Sequence, residues 1–204
     1  MTREEMAEDV AYVRNLAEEG RNAPLVGGAY LAFFGALLAI CYVAHWLFLT
    51  GRVGKVSQVG FVWLAYGVVA VIGVLIINGW VKRKPGASSI TNRVGGTLWG
   101  YVGLVLFTVV VGAMAHTFIA GDYNAPNTIM AAGFGLYAVA LGTTATMSEQ
   151  KWLRGFALLS AAASLLLWAY IDTPWTYLLS ATASVVVLFI PGVIMMRREP
   201  AAVA

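Results

Sequence analysis

The sequence predicts an all-α integral membrane protein, a six-transmembrane-helix bundle with an N-terminal amphipathic cytoplasmic helix. Three observations predict it. Of the 204 residues, 60% are hydrophobic and only 11% charged, less than half the roughly 25% usual in soluble domains. Mean hydropathy is +0.77. Six apolar runs each approach or exceed the ~20 residues that carry a helix across a bilayer. None alternates with the period of two expected of a membrane β-strand.

The same composition excludes several classes. High hydropathy with little charge is the opposite of a disordered chain. A net charge of +3, from 13 Lys/Arg against 10 Asp/Glu, supplies no basic patch for nucleic acid. A single cysteine, Cys41, excludes an intramolecular disulfide and any multi-cysteine metal site.

Residues 1–24 read as a cytoplasmic helix and linker. Thr2 and Glu5 have capping-box spacing, Gly20 suits a helix end, and Pro24 prevents continuation. Met6, Val10, Val13 and Leu16 or Ala17 form one narrow apolar stripe. Glu4, Glu5, Glu8, Asp9, Glu18 and Glu19 outnumber Arg3 and Arg14, and an anionic leaflet repels such a helix. Residues 2–20 are therefore expected to cap their own bundle, to pair in a homo-oligomer, or to dock a cytoplasmic or membrane protein partner. The segment has no apolar core of the signal-peptide kind, so no cleavable signal peptide is expected and the first span stays in the bilayer.

The membrane domain covers 25–196, with spans at 25–49, 59–81, 94–119, 128–147, 153–171 and 176–196; residues 197–204 are a cytoplasmic tail. Arg154, near the start of the fifth run, must snorkel to the headgroups. The short connections make successive helices antiparallel. Only Arg52 and Lys55 fall on one side of the membrane. The other eleven of the 13 basic residues fall on the opposite side. That asymmetry places both termini in the cytoplasm and the chain in a bacterial-type plasma (inner) membrane.

A hairpin repeat is visible. Val26-Gly27-Gly28 with Gly35 recurs as Val94-Gly95-Gly96 with Gly103, and Gly60-Phe61 as Gly133-Phe134. It preserves orientation, unlike an inverted transporter repeat, and 153–196 would form a third hairpin. Gly96 with Gly100, the series Gly28, Ala32 and Ala36, and the pairs Ala157/Ala161, Ser160/Ser164 and Ser180/Ser184 let helices approach closely. Pro191-Gly192 should kink the last span. Thr143, Thr144, Thr146 and Asn78 either bond backbone carbonyls or line a vestibule.

No Asp, Glu, Lys or Arg lies in the middle of a predicted span. Ion-coupled carriers and intramembrane hydrolases keep such groups at depth, so no enzyme and no cofactor is expected. His45 and His116 are the only histidines, each following an alanine near the extracytoplasmic end of its span. They are expected to join Tyr42, Trp46, Phe48 and Phe118 in the interfacial belt. The alternative is a metal site in which His45 and His116, with Asp122 and also Asp172 within reach, hold Zn²⁺ or Cu²⁺. Two imidazoles alone could ligate a haem.

Asn22-Ala23-Pro24-Leu25, leading into a six-span chain, resembles the N-P-A-P-x-G-L opening of the acetate and succinate transporter family. The stretch from Arg21 to Gly27 lacks the first proline of that motif and places its glycine differently, so the resemblance carries over no site residue. The expected function is a non-enzymatic polytopic inner-membrane protein, serving as a membrane-embedded interaction or accessory protein. The alternatives are a small permease or channel for a neutral or weakly polar solute, and a His-based metal- or haem-binding protein.

Overall fold

In hydrocarbon each backbone N–H and C=O must find its partner within the protein, which makes long apolar runs helical. The computed structural model describes residues 24–201 together with Glu8 and Tyr12; apart from those two, the helix expected over 2–20 lies outside the described residues. Among them, all regular structure is helical: α1 (Gly28–Leu49), α2 (Val59–Val81), α3 (Ile90–Ala120), α4 (Thr128–Met147), α5 (Trp152–Ala169) and α6 (Trp175–Arg198). All six are long and apolar enough to cross a membrane. Their charged residues are Arg93, Arg154, Arg197 and Arg198, each in the first or last turn of its helix.

Helix ends depart from the predicted runs where local chemistry intervenes. α1 starts at Gly28 rather than residue 25 because Gly27 has φ +118°, a left-handed conformation that only glycine adopts freely. α3 starts at Ile90 rather than 94, because the Ser89 side chain accepts from the Asn92 backbone N–H at 3.3 Å and caps the first turn. It stops at Gly121, again left-handed at φ +71°. Single 3₁₀ turns at Val56–Gln58 and Ala125–Asn127 lead into α2 and α4.

α4 and α5 form the most extensive hairpin, and α1 lies along the whole of α6. α5 joins α6, α2 packs on α1, and α3 packs on α4. The helices thus follow one another in space as α2-α1-α6-α5-α4-α3. Its two ends, α2 and α3, share no substantial packing although only residues 82–89 separate them. Leu31, Leu38, Phe134, Leu141, Leu153, Leu167, Val187 and Leu188 fill the core. Lipid tails are as apolar as these side chains, so dispersion contacts and hydrogen bonds hold the helices together. Two bonds between α4 and α5 are of this kind. Ser160 Oγ donates to the Phe134 carbonyl and Ser164 Oγ to the Ala131 carbonyl, each at 2.7 Å.

α1 and α6 meet backbone to backbone. A Cβ on Gly28 would stand 2.6 Å from the Gly192 carbonyl oxygen and 2.7 Å from Met195 Cβ. One on Gly35 would strike the Phe189 backbone, and one on Gly192 would strike the Ala32 amide. The close-packed stripe is therefore Gly28-Ala32-Gly35, not the expected Gly28-Ala32-Ala36, since 3.6 residues per turn brings position 35 closer to the contact line. Where a kink is expected before Pro191, the structure shows a change of helical winding. Val185–Phe189 is wound as a π-helix, which absorbs the backbone pairing lost to the proline, which has no N–H.

Candidate functional site

Polar side chains converge at both ends of the bundle. At one end, α1 carries Tyr42 and His45 on one face, three residues apart. Trp63 Nε1 of α2 donates to His45 Nδ1 at 3.1 Å, which assigns the imidazole proton to Nε2. The imidazole packs on the Tyr177 ring of α6, centroids 3.9 Å apart. Tyr177 OH donates to Asn127 Oδ1 at 2.6 Å, and Asn127 Nδ2 donates to the Ile171 carbonyl at 2.8 Å. One connected network thus joins α2, α1, α6, the turn before α4 and the α5–α6 connection. Beneath it Tyr42 is only 6% exposed. Its ring meets Trp63 edge to face at 5.4 Å, and Trp63 in turn meets Tyr66 edge to face at 5.7 Å.

This arrangement corrects the expected belt in part. Phe118 is 85% exposed. Tyr42 instead belongs to the core and His45 packs inward, because α2 and α6 cover that face of α1.

The candidate ligands divide between two places. His116 is largely exposed, with Nε2 3.7 Å from Asp122 Oδ2. Asp122 also accepts from the Asn124 backbone N–H at 2.9 Å, and its carbonyl accepts from Thr117 Oγ1 at 2.9 Å. The structure thus brings His116 and Asp122 together and gives His45 a different set of partners. No three His, Cys, Asp or Glu side chains converge among the described residues.

The second cluster, at the opposite end, centres on the charged pair Lys84 and Glu199. Glu199, one residue beyond α6, accepts at Oε1 from the backbone N–H of Gly27 at 2.9 Å and of Gly28 at 2.6 Å. Its other oxygen pairs with Lys84 Nζ, and the two side chains are 0% and 2% exposed. Lys84 Nζ also stands 3.6 Å from the centre of the Trp80 ring. Beside this pair, Asn92 Oδ1 accepts from the Val26 N–H at 3.0 Å. Its Nδ2 donates to the carbonyls of Pro24 at 2.9 Å and Gly86 at 2.8 Å. A carboxylate on a helix N-terminus satisfies orphan donors and meets the positive end of the helix dipole. The start of α1, the 82–89 connection and the end of α6 are thereby locked together.

One signal in the sequence pointed here. Gly27-Gly28 opens a helix with no Ser, Thr, Asp or Asn to cap it, so its first N–H groups require an acceptor from elsewhere. Asn127 and Tyr177 gave no comparable sign, since neither sits in a recognisable spacing with His45.

Fold and site together define a multi-pass, all-helical membrane protein. Compared with known proteins, the chain matches no family model, no curated protein and no solved structure.

Proposed function

We propose that this chain is a non-enzymatic accessory protein of a bacterial-type inner membrane, with both termini cytoplasmic, that holds another membrane protein against α2 and α3. One observation carries the reading: the contrast in how the helices are covered. Half of the most apolar stretch of α6 is buried within the chain, but none of that of α2 and 6% of that of α3. Each of these two outer helices has substantial packing with one other helix and leaves much of its circumference to whatever adjoins it. The interior between α1, α4 and α6 is filled by Phe134, Leu141 and Leu188, each 1% exposed, which favours a packed scaffold over a solute path.

Site-specific photocrosslinking in native membranes tests this. A benzoylphenylalanine at Leu75 of α2 or Phe107 of α3 should give protein adducts. The same probe at Leu158, equally lipid-exposed on α5, should give lipid adducts only. Indistinguishable adducts at all three positions overturn the proposal. So does uptake of small neutral solutes by vesicles containing the purified protein alone. Reporter fusions at Ala201 and Asp122 test the orientation, with a cytoplasmic signal expected at the first and a periplasmic one at the second.

A further inference from the structure

We infer that residues 2–20 of this chain dock on its own surface, along the first two turns of α3 and beside the α2–α3 connection. There Ile90 and Val94 form an exposed apolar strip beside Arg93, and the connection itself carries exposed Lys82 and Arg83.

Four observations select this occupant and this place. The first is where the chain emerges. Pro24 and Val26 are both tied to Asn92, so the segment is delivered to the residue next to Arg93. Gly20 is only four steps from Pro24, about 14 Å at full extension. The helix expected over residues 2–20, which would be about 28 Å long, therefore has its Gly20 end within reach of α3.

The second is the receiving surface. Arg93, Val94 and Thr97 line a shallow open groove of about 370 Å³. Ile90 is 62% and Val94 42% exposed, at the end of α3 where hydrocarbon gives way to headgroups and water. Positions 90, 93, 94 and 97 share one helical face.

The third is charge. The segment carries six carboxylates against two guanidinium groups, and on a helix Asp9 would border its apolar stripe with Glu5 one turn earlier on the same side. Lys82, Arg83 and Arg93 are exposed and have no carboxylate partner among the described residues. Lys84 is already committed to Glu199, and Arg198 lies over the Trp152 ring at 5.1 Å.

The fourth is facing. Glu8 and Tyr12 are helical and exposed. On a helix they lie on the far side from Met6, Val10 and Val13, which leaves that stripe for the groove. Docked in this way, the segment bridges the two helices that the membrane-embedded part leaves unjoined.

Cysteine pairs in the detergent-solubilised full-length protein, in a Cys41→Ser background, test the inference. Val10→Cys or Val13→Cys combined with Val94→Cys should oxidise within one chain, leaving a monomer whose thiols no longer react with maleimide-polyethylene glycol. Pairing the same tail positions with Leu158→Cys should not. Replacing Lys82, Arg83 and Arg93 by Glu should lower the disulfide yield at least roughly fivefold, and Glu5→Lys with Asp9→Lys should restore it. Separately, deleting residues 2–20 should speed maleimide labelling of Val94→Cys at least roughly fivefold and leave Leu158→Cys unchanged. The labelling arm needs no charge-reversed variant to fold. Disulfide-linked dimers would assign the groove to a second copy, and protection appearing only in anionic vesicles would assign the segment to the lipid surface. Either result overturns the inference, as does equal oxidation with the Leu158→Cys control.

Discussion

α1 and α3 carry the same glycine spacing and live in different surroundings. In α1, Gly28 and Gly35 are pressed against Gly192, Met195 and Phe189 of α6, with no room for a methyl group. In α3, Gly96 and Gly103 stand at the matching positions with nothing within 4 Å, and Gly100 is equally open. The two histidines follow the same division. His45 of α1 is bonded to Trp63 and stacked on Tyr177, whereas His116 of α3 is exposed beside Asp122. Even the helix starts differ: α3 is capped by its own Ser89 and α1 by Glu199, 171 positions along the chain from Gly28. Small residues permit close approach; whether a partner arrives is decided by the rest of the chain.

The largest effect should come from the two helix starts. Glu199→Ala leaves Lys84 buried without its counter-ion and two N–H groups of α1 unmade, and should cost about 3–5 kcal/mol in equilibrium unfolding in mixed micelles. Ser89→Ala removes a local cap and should cost about 1 kcal/mol in the same assay. Equal losses would mean that the remote cap contributes no more than the local one.

Next come the glycines. Gly35→Leu forces the α1–α6 crossing apart and should destabilise by about 1–3 kcal/mol or more. Gly103→Leu, in open surroundings, should stay within about 0.5 kcal/mol. A large loss at Gly103 when the protein sits in native membranes, absent from the purified protein, would place a partner on α3.

The histidines should separate least. His45→Ala strands the Trp63 N–H and removes a ring contact, at a cost of about 1–2 kcal/mol. His116→Ala should fall within about 0.5 kcal/mol. Trp63 fluorescence should also change with the first substitution and not the second, which separates a local loss from a global one.

The six spans were legible because a bilayer demands long uninterrupted apolar runs, and no rival structure satisfies them. Boundaries slipped where a single residue overrides the run, as Ser89 does by capping α3 and Gly27 by delaying α1. Which helix sits against which was not legible. Ser160 and Ser164 announced a close contact without naming α4, and the identical glycine spacing of α1 and α3 gave no hint that only one is covered. The Lys84–Glu199 pair was invisible for a related reason. Its partners are 115 residues apart, and charges flanking spans ordinarily report orientation, not pairing. The position of His45 near the extracytoplasmic end of its span points to the interfacial belt; the partners that turn it inward, Trp63 and Tyr177, come from α2 and α6.

The Glu199 cap also fixes an order of events during synthesis. Of the six spans described, α1 leaves the ribosome before the other five, and the group that completes it is made after all six. At the usual elongation rate of about 5–20 residues per second, the interval between Gly28 and Glu199 lasts on the order of 10–35 s. Through that time the first two amides of α1 and the Lys84 ammonium rely on water or headgroups for partners. A chain that stops in α6 never supplies the carboxylate, so its first helix stays uncapped and its Lys84 uncompensated. The residue that follows α6 thus completes the start of α1, so an interruption within the sixth span is felt at the opposite end of the six-helix domain's sequence.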